Sequence, residues 1–144
     1  VDLNPQVEQA VMKALNNIAR GYAQKDTSMV LDNYKNDPGV IGIGTGIDEW
    51  RVGWDEIKKG IERNMEQADN ISIRFTQHSV KSHGTVAWFV ASCDINLVVD
   101  SAERSLVGRF TGILEKGGEG WKIVQSHLSL PDSRQEEGKS YPSC

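Results

Sequence analysis

Asp94 and Arg109 are the two residues of this sequence most suggestive of chemistry. Both fall in β-rich runs joined by a short turn. A carboxylate beside a guanidinium can orient a water, grip a polar ligand group or, where desolvation outweighs the arginine, act as a base near neutral pH. A structural cross-strand ion pair would look the same in sequence. Trp50, Trp54 and Trp88 are candidate aromatic walls for a hydrophobic ligand, because small-molecule sites are mostly apolar with a few directed polar groups. Core packing explains them equally, Trp54 above all, since it lies on a helical apolar stripe. Tyr22 and Tyr34 could offer hydroxyls to a cavity or be core aromatics with a polar tip near solvent.

Other chemistries find less support. His78 and His127 fall on the strand face opposite Asp94, which suits an interface better than a pocket, although a one-residue bulge would reverse that assignment and make His127 an acid/base candidate. No HExxH, clustered His/Asp spacing or paired thiols suggests a metal, and no serine stands in a nucleophile motif. Gly42-Ile43-Gly44-Thr45-Gly46 lacks the Gly-Lys-Ser/Thr that would make it a phosphate loop, so it reads as a hairpin turn. No cofactor is expected.

The elements that must position these residues are legible from spacing. Asn4-Pro5 is a cap and first-turn pair, followed by Val7, Val11, Ala14, Leu15, Ile18 and Tyr22 at helical intervals. Asp26 caps a short second helix with Met29, Val30, Leu31 and Tyr34, which Asp37-Pro38-Gly39 terminates. Val40 to Ile43 and Glu49 to Val52 form a small hairpin. Trp54, Ile57, Ile61, Met65 and Ala68 mark a third helix, in which Gly60 costs about 1 kcal/mol and signals close packing. Residues 71–82, 85–99, 104–116 and 121–130 then read as an antiparallel meander. The expected domain is residues 1–131, with 132–144 a polar C-terminal tail.

Turn positions convert these strands into facing pairs. A turn centred between Ser101 and Ala102 sets Asp94 opposite Arg109, Ser92 opposite Thr111 and Val90 opposite Ile113. One centred between Gly118 and Glu119 sets Arg109 opposite Leu128 and Thr111 opposite Ser126. One centred between His83 and Gly84 adds Ile73, Phe75, Gln77 and Ser79. One face then carries Trp88, Val90, Ser92, Asp94, Arg109, Thr111, Ile113, Val124, Ser126 and Leu128, and the expected site lies on it. The other carries Phe89, Ala91, Cys93, Ile95, Leu97, Gly108, Phe110, Gly112, Leu114, Ile123, Gln125 and His127. Its apolar character suggests burial against a second subunit.

The order of elements, Gly44-Thr45-Gly46 followed by Asp48-Glu49-Trp50, Gly53 opening the third helix, Val86-Ala87-Trp88 and the terminal Trp121 to Ser129 strand together resemble the SnoaL-like branch of the nuclear-transport-factor-2-like superfamily. The resemblance implies an α+β cone, a curved, mainly antiparallel sheet wrapped around N-terminal helices, with an open-ended pocket and a convex face used for dimerisation. It also implies a choice among isomerases, polyketide cyclases, dehydratases, epoxide hydrolases and non-catalytic association modules, which fold alone does not make. The tyrosine of the ketosteroid isomerase pattern is replaced near Ile18, and its hairpin base falls among Ile43, Gly44 and Thr45. The arginines of the kinase association domain fall at Val90, Thr111 and Leu128. Both those chemistries are disfavoured.

Composition agrees with an unspecialised single domain. The 144 residues carry Lys+Arg 16 against Asp+Glu 20, net −4, so nucleic acid and anionic lipid are not expected partners. No apolar run approaches the roughly 20 residues of a membrane span. Cys93 and Cys144 form no disulfide framework, so a cytoplasmic location is expected. The start at Val1 leaves a removed leader open, and Asn70-Ile71-Ser72 is a glycosylation sequon only in a secreted eukaryotic chain. The expectation is therefore a homodimer, joined through the convex sheet face, whose pocket takes a small apolar or mixed-polarity molecule. Asp94 and Arg109 are its catalytic candidates, and Tyr22, Trp50, Trp88, Val90, Ser92, Thr111, Ser126 and Leu128 line it. The alternative is a non-catalytic sensing or oligomerisation module.

Overall fold

The computed structural model describes residues 4–144, so the first three residues of the expected domain lie outside the described residues. Helix α1 (Pro5–Gln24) starts where the Asn4 side chain accepts hydrogen bonds from the Gln6 and Val7 amides at 3.0 and 3.2 Å, satisfying donors that have no partner within the helix. Asp26 does the same for Met29 at the head of α2 (Thr27–Leu31). Helix α3 (Trp54–Gln67) follows Gly53, whose φ of 97° suits only glycine. Asp55 and Glu56 lie in its first turn, where the helix dipole favours negative charge.

The strands are β1 (Ile41–Ile43), β2 (Trp50–Val52), β3 (Asn70–His83), β4 (Val86–Val99), β5 (Ala102–Gly117) and β6 (Gly120–Ser129). They form one sheet in the order β2-β1-β6-β5-β4-β3. β1 runs parallel to β6 because the chain leaving α2 is already bound alongside that strand: the Lys35 amide donates to the Ile123 carbonyl and the Ile123 amide to that of Asn33. The remaining pairs are antiparallel.

The fold is thus α+β, but the expected cone is not formed. The sheet is mixed and open, with β2 and β3 as its edges, and the helices lie against it rather than being wrapped by it. Two three-residue strands at one end supply too little length to carry the sheet round to the fourteen-residue β3.

The facing pairs also differ from expectation. The β4–β5 turn is Asp100-Ser101, with both residues at positive φ (51° and 65°), a two-residue hairpin turn of the primed type built without glycine. Asp94 therefore faces Val107, Ser92 faces Arg109, Val90 faces Thr111 and Trp88 faces Ile113. The β5–β6 turn is centred as expected, but the register slips between Ile113 and Leu114, so Arg109 faces Ser129 and Thr111 faces His127. A second slip near Thr76 puts Ile73 and Phe75 beside Ile95 and Cys93.

The face that carries Phe89, Ala91, Cys93 and Leu114 is covered by the chain's own helices, not left for a second subunit. Val11, Leu15 and Ile18 of α1 pack there with Val30, Ile57 and Ile61 to form the core. Phe89, Leu15, Leu114 and Ile123 are its largest fully buried side chains.

Candidate functional site

Near the β1–β2 end the helices stand off the sheet and leave a cavity of about 140 Å³ between α1, α2, α3 and the inner sheet face. Most of its wall is hydrocarbon: Ile18, Val30, Ile43, Ile57, Ile61, Ile73, Phe75, Ile95, Phe110 and Leu128. Phe110 anchors one side through tilted contacts with Phe89 and Phe75, ring centroids 5.4 and 6.4 Å apart. An apolar void of roughly 150 Å³ accommodates benzene, so this space suits a molecule built on a single ring.

Six polar side chains interrupt the wall. Tyr34, just beyond α2, pairs its hydroxyl with Ser126 Oγ at 2.9 Å, and Ser126 is buried. Tyr22 comes from the last turn of α1 and accepts a hydrogen bond from Asn64 Nδ2 of α3 at 3.1 Å. Burial pushes both tyrosine hydroxyls above the ordinary phenol value, with the Asn64 and Ser126 hydrogen bonds opposing it. Each remains a neutral O–H, able to donate to an oxygen placed in the cavity. Glu49 and Arg51 enter from the hairpin side. Glu49 accepts from Arg63 Nη2 at 3.3 Å, and the same guanidinium holds Asp48 at 2.7 Å. Cys93 also lines the space, but burial raises its thiol pKa and disfavours the reactive thiolate.

Of the residues nominated from sequence, Tyr22, Ser126 and Leu128 line this cavity. Ser126 and Leu128 arrive there because the β6 slip turns them inward, opposite Gly112 and Phe110. Asp94 and Arg109 do not meet. Asp94 accepts from Arg74 Nη2 at 2.7 Å, and Arg109 Nε donates to Ser129 Oγ at 3.1 Å, both on the outer sheet face. Trp88, Val90, Ser92 and Thr111 share that outer face, as does His127. Trp88, Thr111 and His127 border a second depression, of about 220 Å³, on it. Trp50 is 69% exposed on the edge strand. His78 sits against Glu8 of α1 at 3.2 Å.

Glu49, Arg51 and Asn64 were not nominated, and Tyr34 was noted only as an alternative to core packing. One sequence signal was available for the hairpin pair. Alternation along Glu49, Trp50, Arg51 and Val52 sends the two charged residues to one side and the two apolar ones to the other, and the charged side faces inward. Among the described residues no group of His, Cys, Asp or Glu side chains is placed to hold a metal ion. Nor is any helix of these residues long and apolar enough to cross a membrane.

A family model described as a SnoaL-like domain matches residues 11–133. The fold is similar to that of a nuclear transport factor 2-like superfamily protein from Salmonella enterica serovar Typhimurium, with a TM-score of 0.83 at 18% identity over 94% of this chain and 98% of that one. It is also similar to a candidate dehydratase of the NTF2-like family from Streptomyces avermitilis (TM-score 0.80, 16% identity, 90% and 100% covered). A candidate aromatic ring hydroxylase from Novosphingobium aromaticivorans gives a TM-score of 0.81 at 17% identity, with 91% and 93% covered. At such identities the likeness shows the fold alone. No curated protein matches the chain.

Proposed function

The chain belongs to the SnoaL-like family of the NTF2-like superfamily, and on that footing we propose that its cavity binds a small molecule the size of a single ring, gripping an oxygen of that molecule through tyrosine hydroxyls. The observation that carries this reading is the pairing of a largely hydrocarbon wall with two partly buried neutral hydroxyls, those of Tyr22 and Tyr34, each already oriented by one partner. An apolar volume supplies affinity and a few fixed donors supply orientation. The neighbour from N. aromaticivorans bears the name of an aromatic ring hydroxylase, which agrees with a ring-sized guest.

Turnover of the bound molecule, of the isomerase, cyclase or hydrolase kind, would use Glu49 as proton acceptor, since it is the carboxylate among the lining residues. The tyrosines would stabilise the oxygen that gains charge. The non-catalytic alternative keeps the same cavity as a sensing site. In either case Tyr22, Ser126 and Leu128 carry over from the sequence nominations, whereas Asp94, Arg109, Trp50, Trp88, Val90, Ser92 and Thr111 receive no role in the cavity.

Benzamide, a ring bearing a neutral carbonyl, is a suitable probe. Titrated into ¹⁵N-labelled protein, it should shift the amides of Tyr22, Tyr34, Asn64 and Ser126. The Tyr22→Phe/Tyr34→Phe double variant should bind it about tenfold more weakly, since each neutral hydrogen bond contributes about 0.5–1.5 kcal/mol. Unmoved cavity amides, or equal affinity in the double variant, would refute the reading.

The apolar face expected to join two subunits is taken up by the chain's own helices; we propose instead a homodimer through the opposite, outer sheet face, supported by Val90 and Val107, which are 53% and 58% exposed there. A monomeric mass by light scattering would exclude it. Both cysteines are free, in keeping with the cytoplasmic placement that we also retain as a proposal.

A further inference from the structure

Arg51 is the charged group at the cavity that forms no ion pair with the described residues. Glu49, two residues earlier on the same side of the hairpin, is engaged by Arg63, which also holds Asp48. None of the ion pairs formed among the described residues includes Arg51. Yet the fold goes to some length to bring this side chain in. Arg51 is paired with Gly42 in the hairpin, and a Cβ on Gly42 would point at Ile57 and Ser126, on the cavity side. From there Arg51 crosses Gly60 of α3 so closely that its Cδ and Cζ lie 2.6 and 2.9 Å from where a Cβ would stand.

Glycine inside a fourteen-residue helix is a poor choice for helix stability. At position 60 its use is spatial, since any side chain would occupy the path of the guanidinium. A half-buried guanidinium beside an apolar wall has lost part of its hydration without gaining a direct ion-pair partner. Its planar fork of donors matches a carboxylate, which can accept two parallel hydrogen bonds from it.

We propose that Arg51 reads an anionic group, a carboxylate, on the ring-sized ligand that the cavity holds, with Gly60 as the gap that admits the guanidinium. The inference rests on the cavity reading above and adds the charge of the ligand to it.

Benzoate and benzamide are near-isosteres that differ in charge, so a paired NMR titration separates the two statements. Benzoate should bind the wild-type protein at least tenfold more tightly than benzamide, a difference of about 1.4 kcal/mol. Arg51→Gln should erase that preference, bringing benzoate affinity down to that of benzamide in the same variant, with folding checked by its unfolding temperature. Equal binding of the two probes to the wild-type protein overturns the charge assignment and leaves the cavity reading standing. A benzoate preference that survives in folded Arg51→Gln overturns it as well. Binding of neither probe at the cavity amides refutes the cavity reading, and this inference with it. The wild-type comparison requires no variant to fold.

Discussion

Replacing Gly60 with alanine tests the local geometry without any ligand. In an unencumbered helix interior the change should stabilise the protein by about 1 kcal/mol, because alanine restricts the unfolded chain and glycine does not. Here the three atoms nearest the new methyl all belong to Arg51, two of them at 2.6 and 2.9 Å. The far end of a flexible side chain can swing away, so the helix need not deform. The displaced stem, however, loses cover for one or two methylenes, at about 0.8 kcal/mol each. The two effects nearly cancel, and Gly60→Ala in the wild-type background should change stability by less than about 0.7 kcal/mol. In an Arg51→Ala background nothing stands in the way, and the same substitution should recover its full gain of about 1 kcal/mol. With an unfolding entropy of roughly 2.1 cal/mol/K per residue, that gain raises the midpoint of this chain by about 3 °C. Urea or thermal unfolding of the four proteins in a double-mutant cycle gives the coupling directly. A gain of about 1 kcal/mol in both backgrounds would mean that Arg51 does not lie over Gly60. A loss above about 2 kcal/mol in both would mean that the α3 face meets something more rigid than an arginine. Either result refutes the reasoning, and with it the account of why a glycine occupies this helix.

Two further outcomes follow from the same structure. Ser101→Gly should stabilise the protein by about 0.5–1 kcal/mol, because Ser101 holds a φ of 65° that an L side chain resists; an unchanged urea midpoint would show that the turn is not of the primed type. The Arg63 guanidinium holds the Asp48 carboxyl below the ordinary aspartate value, so the clamp between the hairpin and α3 is complete above the unfolded pKa and is lost as pH falls through the lowered folded value. A ¹³C titration of Asp48 should accordingly give a midpoint below that of a free aspartate, and Arg63→Gln should return it upward; identical midpoints would remove the clamp.

Local signals made much of this protein legible in advance. Helical spacing from Val7 to Tyr22, the Asn4-Pro5 cap, the Asp26 cap and the Gly53 start each act within a few residues, so their consequences do not depend on the rest of the chain. The family resemblance was equally accessible, in the order of elements and in motifs such as Gly44-Thr45-Gly46 and Val86-Ala87-Trp88, and the family model matches residues 11–133. Gly60 announced close packing without naming its neighbour.

What remained hidden was relational. Period-two alternation sorts a strand's residues into two faces but does not say which face the helices will cover. The face rich in Phe89, Ala91 and Cys93 went to the chain's own helices, leaving Asp94 and Arg109 outside. Register depended on a turn, Asp100-Ser101, that adopts positive φ without glycine, and on two slips, at Thr76 and within β6, that leave no mark in composition. Because a one-residue slip moves every later side chain to the opposite face, those slips turned Ser126 and Leu128 into the cavity and His127 away from it. The cavity draws its polar residues from α1, the segment after α2, the hairpin, α3 and β6, far apart in the chain. The sequence by itself determined which segments would be helix and strand. Only their packing decided that Tyr22, Tyr34, Asn64, Ser126, Glu49 and Arg51 would share one space.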